Sequence, residues 1–203
     1  MNDDYGFGNE SEQNDFMYFK HQGALANKFS VGKGEGASEV VFKHFLWDLD
    51  SIKTGWMWIQ KDMAPVIVWN DAPKVWKANP GQSQEEMERY KRGFNVDVFI
   101  KDQGIKTWSS SSWGGGKAFG QLMKTIDAQR EINAGKYPVI QFDGYEMIQF
   151  KTGGSSSIPK LSLVKWVESD EFKITGDGIY EEPAPIPQAP PVQETMSEED
   201  IPF

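Results

Sequence analysis

The chain has 203 residues, contains no cysteine and carries a formal net charge of −9 at pH 7. The lack of cysteine excludes disulfides, thiol nucleophiles and thiolate metal sites. No apolar run is long enough to cross a bilayer, and the acidic start is unlike a basic signal peptide, so we expect a cytoplasmic protein with one folded domain and no membrane partner.

The negative charge is concentrated at the two ends of the chain. Residues 1–15 carry −5 and residues 169–203 carry −8, which leaves +4 for residues 16–168. A mildly basic body between acidic ends is compatible with nucleic acid, because binding proteins neutralise phosphates with Lys and Arg. We predict a flexible acidic arm over 1–15 and a Pro-rich disordered linker over 169–196.

Alternating and β-branched segments predict a mainly β body over residues 16–168. The predicted strands are 39–49, 54–61 with a continuation at 65–69, 94–101 followed by 105–109, 139–151 and 160–168. A Ser83 to Glu86 capping box predicts a short charged helix over 85–92, which looks like an insertion. Helical spacing of apolar residues predicts an amphipathic helix over 117–133, after a flexible loop over 109–116.

The resulting order is three strands, a helix and two strands. This is the order of the OB-fold, a five-stranded Greek-key barrel whose open face and loops bind oligonucleotides. Other small barrels fit the same order, so the order favours an OB-fold-like body without requiring one.

The chain ends in a run of acid closed by an apolar tripeptide, over residues 197–203. Acidic residues followed by Asp-Ile-Pro-Phe, after a Pro-rich linker, resemble the tail of bacterial-type single-stranded-DNA-binding proteins and of some phage-encoded relatives. The resemblance covers only the tail and the style of the linker, which favours a divergent, phage-encoded member of that family.

The resemblance implies an upstream OB-fold domain that holds single-stranded DNA during replication, recombination and repair. It also implies a tip that recruits replication and recombination proteins, such as a polymerase, primase, helicase, nuclease or recombinase. The tip residues that match the family are Glu198, Glu199, Asp200, Ile201, Pro202 and Phe203.

Single-stranded DNA is held by aromatic rings under the bases and by basic side chains along the phosphates. Eight tryptophans are many for this length. The aromatic residues that lie near Lys or Arg in the sequence are the candidates for stacking on DNA bases: Trp56, Trp58, Phe99, Trp108 and Trp113. The candidates for phosphate contacts are Lys53, Lys61, Arg89, Lys91, Arg92, Lys101, Lys106 and Lys117. For each ring, packing in the core is an equally good interpretation.

Two other functions remain open from the sequence. The chain is alternatively an adaptor or decoy that displays the tail without holding DNA. A metal-dependent nuclease using Asp48 and Asp50 is the second alternative. We predict no enzyme activity, no cofactor and no metal site, since His21 and His44 are the only histidines.

Overall fold

The structure is a computed structural model that describes residues 15–32, 36–60, 63–151 and 153–168. Lys61, the linker predicted over 169–196 and the tip predicted over 197–203 lie outside the described residues, as does the predicted N-terminal arm up to residue 14. No helix within the described ranges is long and apolar enough to cross a membrane.

The described residues form a mainly β structure, as the sequence predicts. The strands are β1 Asp15–Phe19, β2 Phe29–Val31, β3 Ser38–Glu39, β4 His44–Trp47, β5 Lys53–Trp58, β6 Val66–Trp69, β7 Lys91–Ile100, β8 Gly104–Ser110, β9 Lys136–Gln149 and β10 Ser155–Glu168. The helices are α1 Gln84–Arg89 and α2 Trp113–Arg130, and a 3-10 turn over Glu131–Asn133 follows α2.

All of these strands belong to one open, mixed sheet. Its order is β10-β9-β4-β7-β8-β1-β2-β3, and β5 and β6 extend from the side of β7. Strand β7 is central, because it pairs with β4 and β5 along one edge and with β8 along the other. Its neighbours run antiparallel to it, whereas β1 lies parallel to β8.

The described sheet has ten strands, more than the five predicted. The predicted strand over 39–49 is divided into β3 and β4, and the segment 53–69 forms a paired hairpin of β5 and β6. Strand β1 joins the sheet by pairing with β8, some 90 residues away in sequence, and β2 pairs with β1. No local pattern indicates the pairing of β1 with β8.

The main core lies between the inner face of the sheet and α2. Trp47, Val96 and Trp108 are fully buried there, and Leu122 and Ile126 supply the stripe of α2. Each such side chain contributes roughly 1.5–3 kcal/mol of hydrophobic stabilisation. A smaller cluster covers the opposite face of the sheet, where Tyr137 packs against Leu46, Phe99, Val139 and Val167.

Helix α2 begins four residues before its predicted start, so its first turn replaces the end of the predicted loop. The Ser112 Oγ accepts a hydrogen bond from the backbone N–H of Gly115 at 3.0 Å, which caps the helix. Glycine is required in this turn because a Cβ on Gly114 would lie 2.1 Å from the Ser157 backbone oxygen of β10. The helix start is therefore pressed directly against β10.

Candidate nucleic-acid interface

A cleft of about 460 Å³ opens between the start of β7, the loop after β6 and the first turn of α2. We call it the aromatic cleft. Its walls are formed by Thr54, Trp76, Lys91, Arg92, Gly93, Phe94, Ser111, Ser112, Trp113, Gly116, Lys117 and Phe119.

The first wall holds an arginine between two tryptophans. The Arg92 guanidinium lies 4.7 Å from the centre of the Trp76 ring and 5.5 Å from that of Trp56. The two indoles meet edge to face, with ring centres 6.0 Å apart. Trp56 and Arg92 are direct cross-strand neighbours on β5 and β7, so the sheet register positions this group.

Hydrogen bonds fix the loop that carries Trp76. The Thr54 hydroxyl donates to the Pro73 backbone oxygen at 2.8 Å, and the Asn70 Oδ1 accepts from the backbone N–H of Lys77 at 3.0 Å. The Trp56 Nε1 donates to the Lys77 backbone oxygen at 2.9 Å. These bonds hold Trp76 beside Arg92 although it lies in no regular element.

The second wall is the first turn of α2. The Trp113 side chain is 49% exposed, and the Lys117 ammonium lies 5.0 Å from the centre of its ring. The spacing of four residues brings these two side chains together on the helix surface. Phe150, in the turn between β9 and β10, meets the Trp113 ring edge to face at 5.2 Å and limits its movement.

Behind this turn, His21 connects three parts of the chain. Its Nε2 lies 2.8 Å from the Oγ of Ser112, and its Nδ1 lies 3.0 Å from the Oγ of Ser157. Partial burial lowers the pKa of His21, and a hydrogen bond to the Ser157 backbone acts in the opposite direction. Since Ser112 lines the aromatic cleft, His21 contacts the cleft wall through its hydrogen bond to Ser112.

The charge of the aromatic cleft is opposite to that of the whole protein. Its described lining contains three basic residues, Lys91, Arg92 and Lys117, and no acidic one, in a chain of net charge −9. Rings that accept the flat faces of bases, next to cations that accept phosphates, are the two parts of a single-strand binding site.

The structure brings together five of the predicted contact residues, Trp56, Trp113, Lys91, Arg92 and Lys117, at or beside this cleft. Trp58 continues the same face of β5 and lies under the Arg89 guanidinium at 5.4 Å, while Arg89 also pairs with Glu85. Lys101 follows the far end of β7, about 30 Å from Lys91 at the rise of a strand. Lys53 is exposed and pairs with the middle of β7, outside the cleft.

Three of the predicted contact residues have buried side chains in the structure. Trp108 is 0% exposed and packs in the main core against Phe94, with ring centres 4.8 Å apart. Lys106 shares its inward face and is 8% exposed. Phe99 does lie on the outer face, as its alternation predicts, but Tyr137 and its neighbours cover that face and leave Phe99 9% exposed.

Trp76 lines the cleft but is not among the contact residues predicted from the sequence. It lies outside the alternating segments, and the only local signal is an aromatic ring next to Lys74 and Lys77. The structural reason for its position is the hydrogen bonding of the 70–77 loop.

The carboxylates proposed for a nuclease are used in other contacts. The Asp48 Oδ1 accepts from the backbone N–H of Asp50 at 3.0 Å, and the Asp50 Oδ1 pairs with Arg130 at 3.1 Å. Among the described residues no group of three His, Cys, Asp or Glu side chains is arranged to hold a metal ion. The geometry gives the nuclease alternative no support.

No known protein family, curated protein or solved structure matches this chain.

Proposed function

We propose that this chain is a sequence-independent single-stranded-DNA-binding protein that protects single strands in the cytoplasm during replication, recombination and repair. One observation carries the proposal: an acidic protein has a cleft whose described lining combines three cations, no acid and exposed indole rings. The base faces lie against Trp76 and Trp113, and the phosphates meet Arg92 and Lys117.

The order of the strands supports an OB-fold-like body. Strands β4, β7 and β8 lie side by side, α2 follows β8, and β9 returns to lie beside β4. A fourth strand that returns beside the first is the arrangement of a Greek key. In this reading β1 to β3 and the hairpin of β5 and β6 are additions to a five-stranded body.

The tail adds the second half of the proposed function. The residues Asp200-Ile201-Pro202-Phe203 recruit replication and recombination enzymes, as the family resemblance implies. Pro202 restricts its own backbone and favours an extended conformation at Ile201, so the tip loses little conformational freedom on docking. An apolar pocket flanked by basic residues is the partner site that this acidic and apolar segment fits.

The DNA proposal is tested by titrating a fluorescently labelled oligo-dT into the full chain at several salt concentrations. We expect salt-sensitive binding of similar affinity for oligonucleotides of different sequence, and weaker binding of duplex. A chain that binds no single strand even at low salt refutes the proposal and leaves the adaptor function in its place.

The recruitment proposal is tested with a chain that lacks Phe203. We expect it to bind oligo-dT like the full chain and to lose its complex with purified replication and recombination enzymes. Replacing Gln193, which lies outside the tip, with Ala is the matched control. Retention of every partner complex without Phe203 contradicts the role of the tip.

A further inference from the structure

A second line of rings lies on the outward face of β1. Alternation along this strand places Phe16 and Tyr18 on one side, and Lys20 follows in the same phase, while Met17 and Phe19 point into the main core. We call Phe16, Tyr18 and Lys20 the β1 stripe.

The β1 stripe has the geometry of a stacking platform. Phe16 is 47% exposed, its ring centre lies 6.4 Å from that of Tyr18, and the two planes are inclined by only 21°. The Lys20 ammonium lies 5.5 Å from the centre of the Tyr18 ring. Partial burial raises the pKa of the Tyr18 hydroxyl, so this ring stays neutral at physiological pH.

The stripe ends near the aromatic cleft, at the same end of the sheet, although it lies on the outer face whereas Arg92 and Phe94 of the cleft lie on the inner face. Lys20 directly precedes His21, whose Nε2 is 2.8 Å from the Oγ of the cleft residue Ser112. The backbone from Tyr18 to His21 spans about 10 Å at the rise of a strand, which is about three nucleotides at the spacing of a stacked strand.

Charges of both signs lie near the stripe. The Asp97 carboxylate, two strands away on the same face of the sheet, accepts a hydrogen bond from the Thr107 hydroxyl at 2.6 Å. Lys20 lies on the stripe itself, at the end nearer the cleft.

From these contacts we infer that single-stranded DNA leaving the aromatic cleft passes around the end of β1 at Lys20 and continues along the outer face of this strand, with bases on Phe16 and Tyr18 and a phosphate on Lys20. This inference rests on the proposed function, and it concerns a strand that lies outside the five strands of the OB-like body. It assigns the β1 strand a part in determining how many nucleotides one molecule covers.

The test compares oligo-dT of about 4 nucleotides, which fills the cleft, with oligo-dT of about 16 nucleotides, which also reaches the stripe. We expect Phe16→Ala and Lys20→Ala to weaken binding of the long oligonucleotide about fivefold or more and to leave binding of the short one unchanged. Tyr18→Leu keeps most of the side-chain volume of a half-buried ring and is expected to behave like Phe16→Ala. Ile132→Ala, on the 3-10 turn at the far end of α2, is the control and leaves both affinities unchanged.

The outcomes separate the two proposals. If the unaltered chain binds neither oligonucleotide, the proposed function fails and the β1 path fails with it. If it binds both and the β1 variants keep the long-oligonucleotide affinity, or lose both affinities equally, only the β1 path is refuted. A change in the sedimentation of the DNA-free chain caused by Phe16→Ala, with DNA binding intact, assigns the stripe to contact between copies and also refutes the path.

Photo-crosslinking is the direct measurement. Oligo-dT carrying a photoreactive thymine is irradiated with the full chain, and the attached peptides are identified by mass spectrometry. We expect crosslinks to Tyr18 and Phe16 with the long oligonucleotide only. Crosslinks confined to the cleft for both lengths overturn the inference.

Discussion

Replacing Trp113 with Ala is the sharpest test of the aromatic cleft. Loss of one base stack costs about 1–3 kcal/mol in single-strand binding. Lys117 lies 5.0 Å from the ring centre in the free protein, and a base that takes this ring face displaces it at a cost of about 0.5–1 kcal/mol. At the midpoints of these two ranges the net loss is about 1.25 kcal/mol, or a roughly eightfold higher Kd at 25 °C.

The variant is expected to fold, because the contacts it loses are few. One exposed cation–π contact and one edge-to-face pair with Phe150 together contribute about 1–2.5 kcal/mol, which is small against a typical stability of about 5–15 kcal/mol. Unfolding by urea, followed by far-ultraviolet circular dichroism, checks this before any binding measurement.

The assay is fluorescence anisotropy of a labelled oligo-dT, because the signal then does not depend on the tryptophan that has been removed. Ile132→Ala is the matched control, since Ile132 is 83% exposed and lies about 28 Å along the helix axis from Trp113. If Trp113→Ala binds oligo-dT within about twofold of the affinity of the unaltered chain, no base stacks on Trp113. An equal loss in Ile132→Ala shows that the effect does not come from the cleft.

Three further predictions concern the charge, the packing and the pH response of the same region. Lys117→Gln is expected to lower the slope of log affinity against log salt by about 0.7, the value for one phosphate contact of a single strand, whereas Lys124→Gln on the same helix leaves the slope unchanged. Gly114→Ala is expected to lower the free energy of unfolding by about 1–3 kcal/mol, because its Cβ would lie 2.1 Å from a backbone oxygen of β10. Gly120→Ala, whose Cβ would meet open space, is expected to raise the free energy of unfolding by up to about 1 kcal/mol. Thermal unfolding of both variants measures the two changes. Burial lowers the pKa of His21 in the folded chain, so the unfolded chain binds a proton on this imidazole at a higher pH than the folded chain does. The free energy of unfolding therefore falls as the pH drops from about 6.5 towards the pKa of folded His21, and this residue has no effect above about pH 6.5. Urea unfolding at about pH 7.5 and 5.5 measures this, and a His21→Gln chain with the same pH-dependent loss contradicts it.

Local patterns predicted the parts of the site that depend on periodicity. The alternation of β5 places Trp56 and Trp58 on one face, and each has an arginine over its ring. The capping box predicted α1, where the backbone N–H of Glu86 donates to the Ser83 Oγ at 3.2 Å. Both patterns depend only on residues close together in the sequence, so both can be predicted from the sequence alone.

Burial could not be predicted where tertiary contacts decide it. Alternation shows which residues share a face but not what covers that face, so Phe99 was assigned to DNA although Tyr137 lies over it. Trp108 and Lys106 point inward because β8 pairs with β7 in a register that places them opposite Val96 and Val98. The position of Trp76 depends on hydrogen bonds between side chains and loop backbone, which follow no period.

The ten residues of β7 run without interruption from the core to the cleft. Val96 and Val98 are fully buried at one end of the strand, and Arg92 faces the two indoles at the other. Loops open by local fluctuations of low energy, whereas a buried central strand opens only when the domain unfolds. Amide hydrogens of β7 should therefore exchange with solvent more slowly than those of the 70–77 loop that carries Trp76, so the Arg92 side of the cleft persists in the DNA-free protein even when the Trp76 side opens.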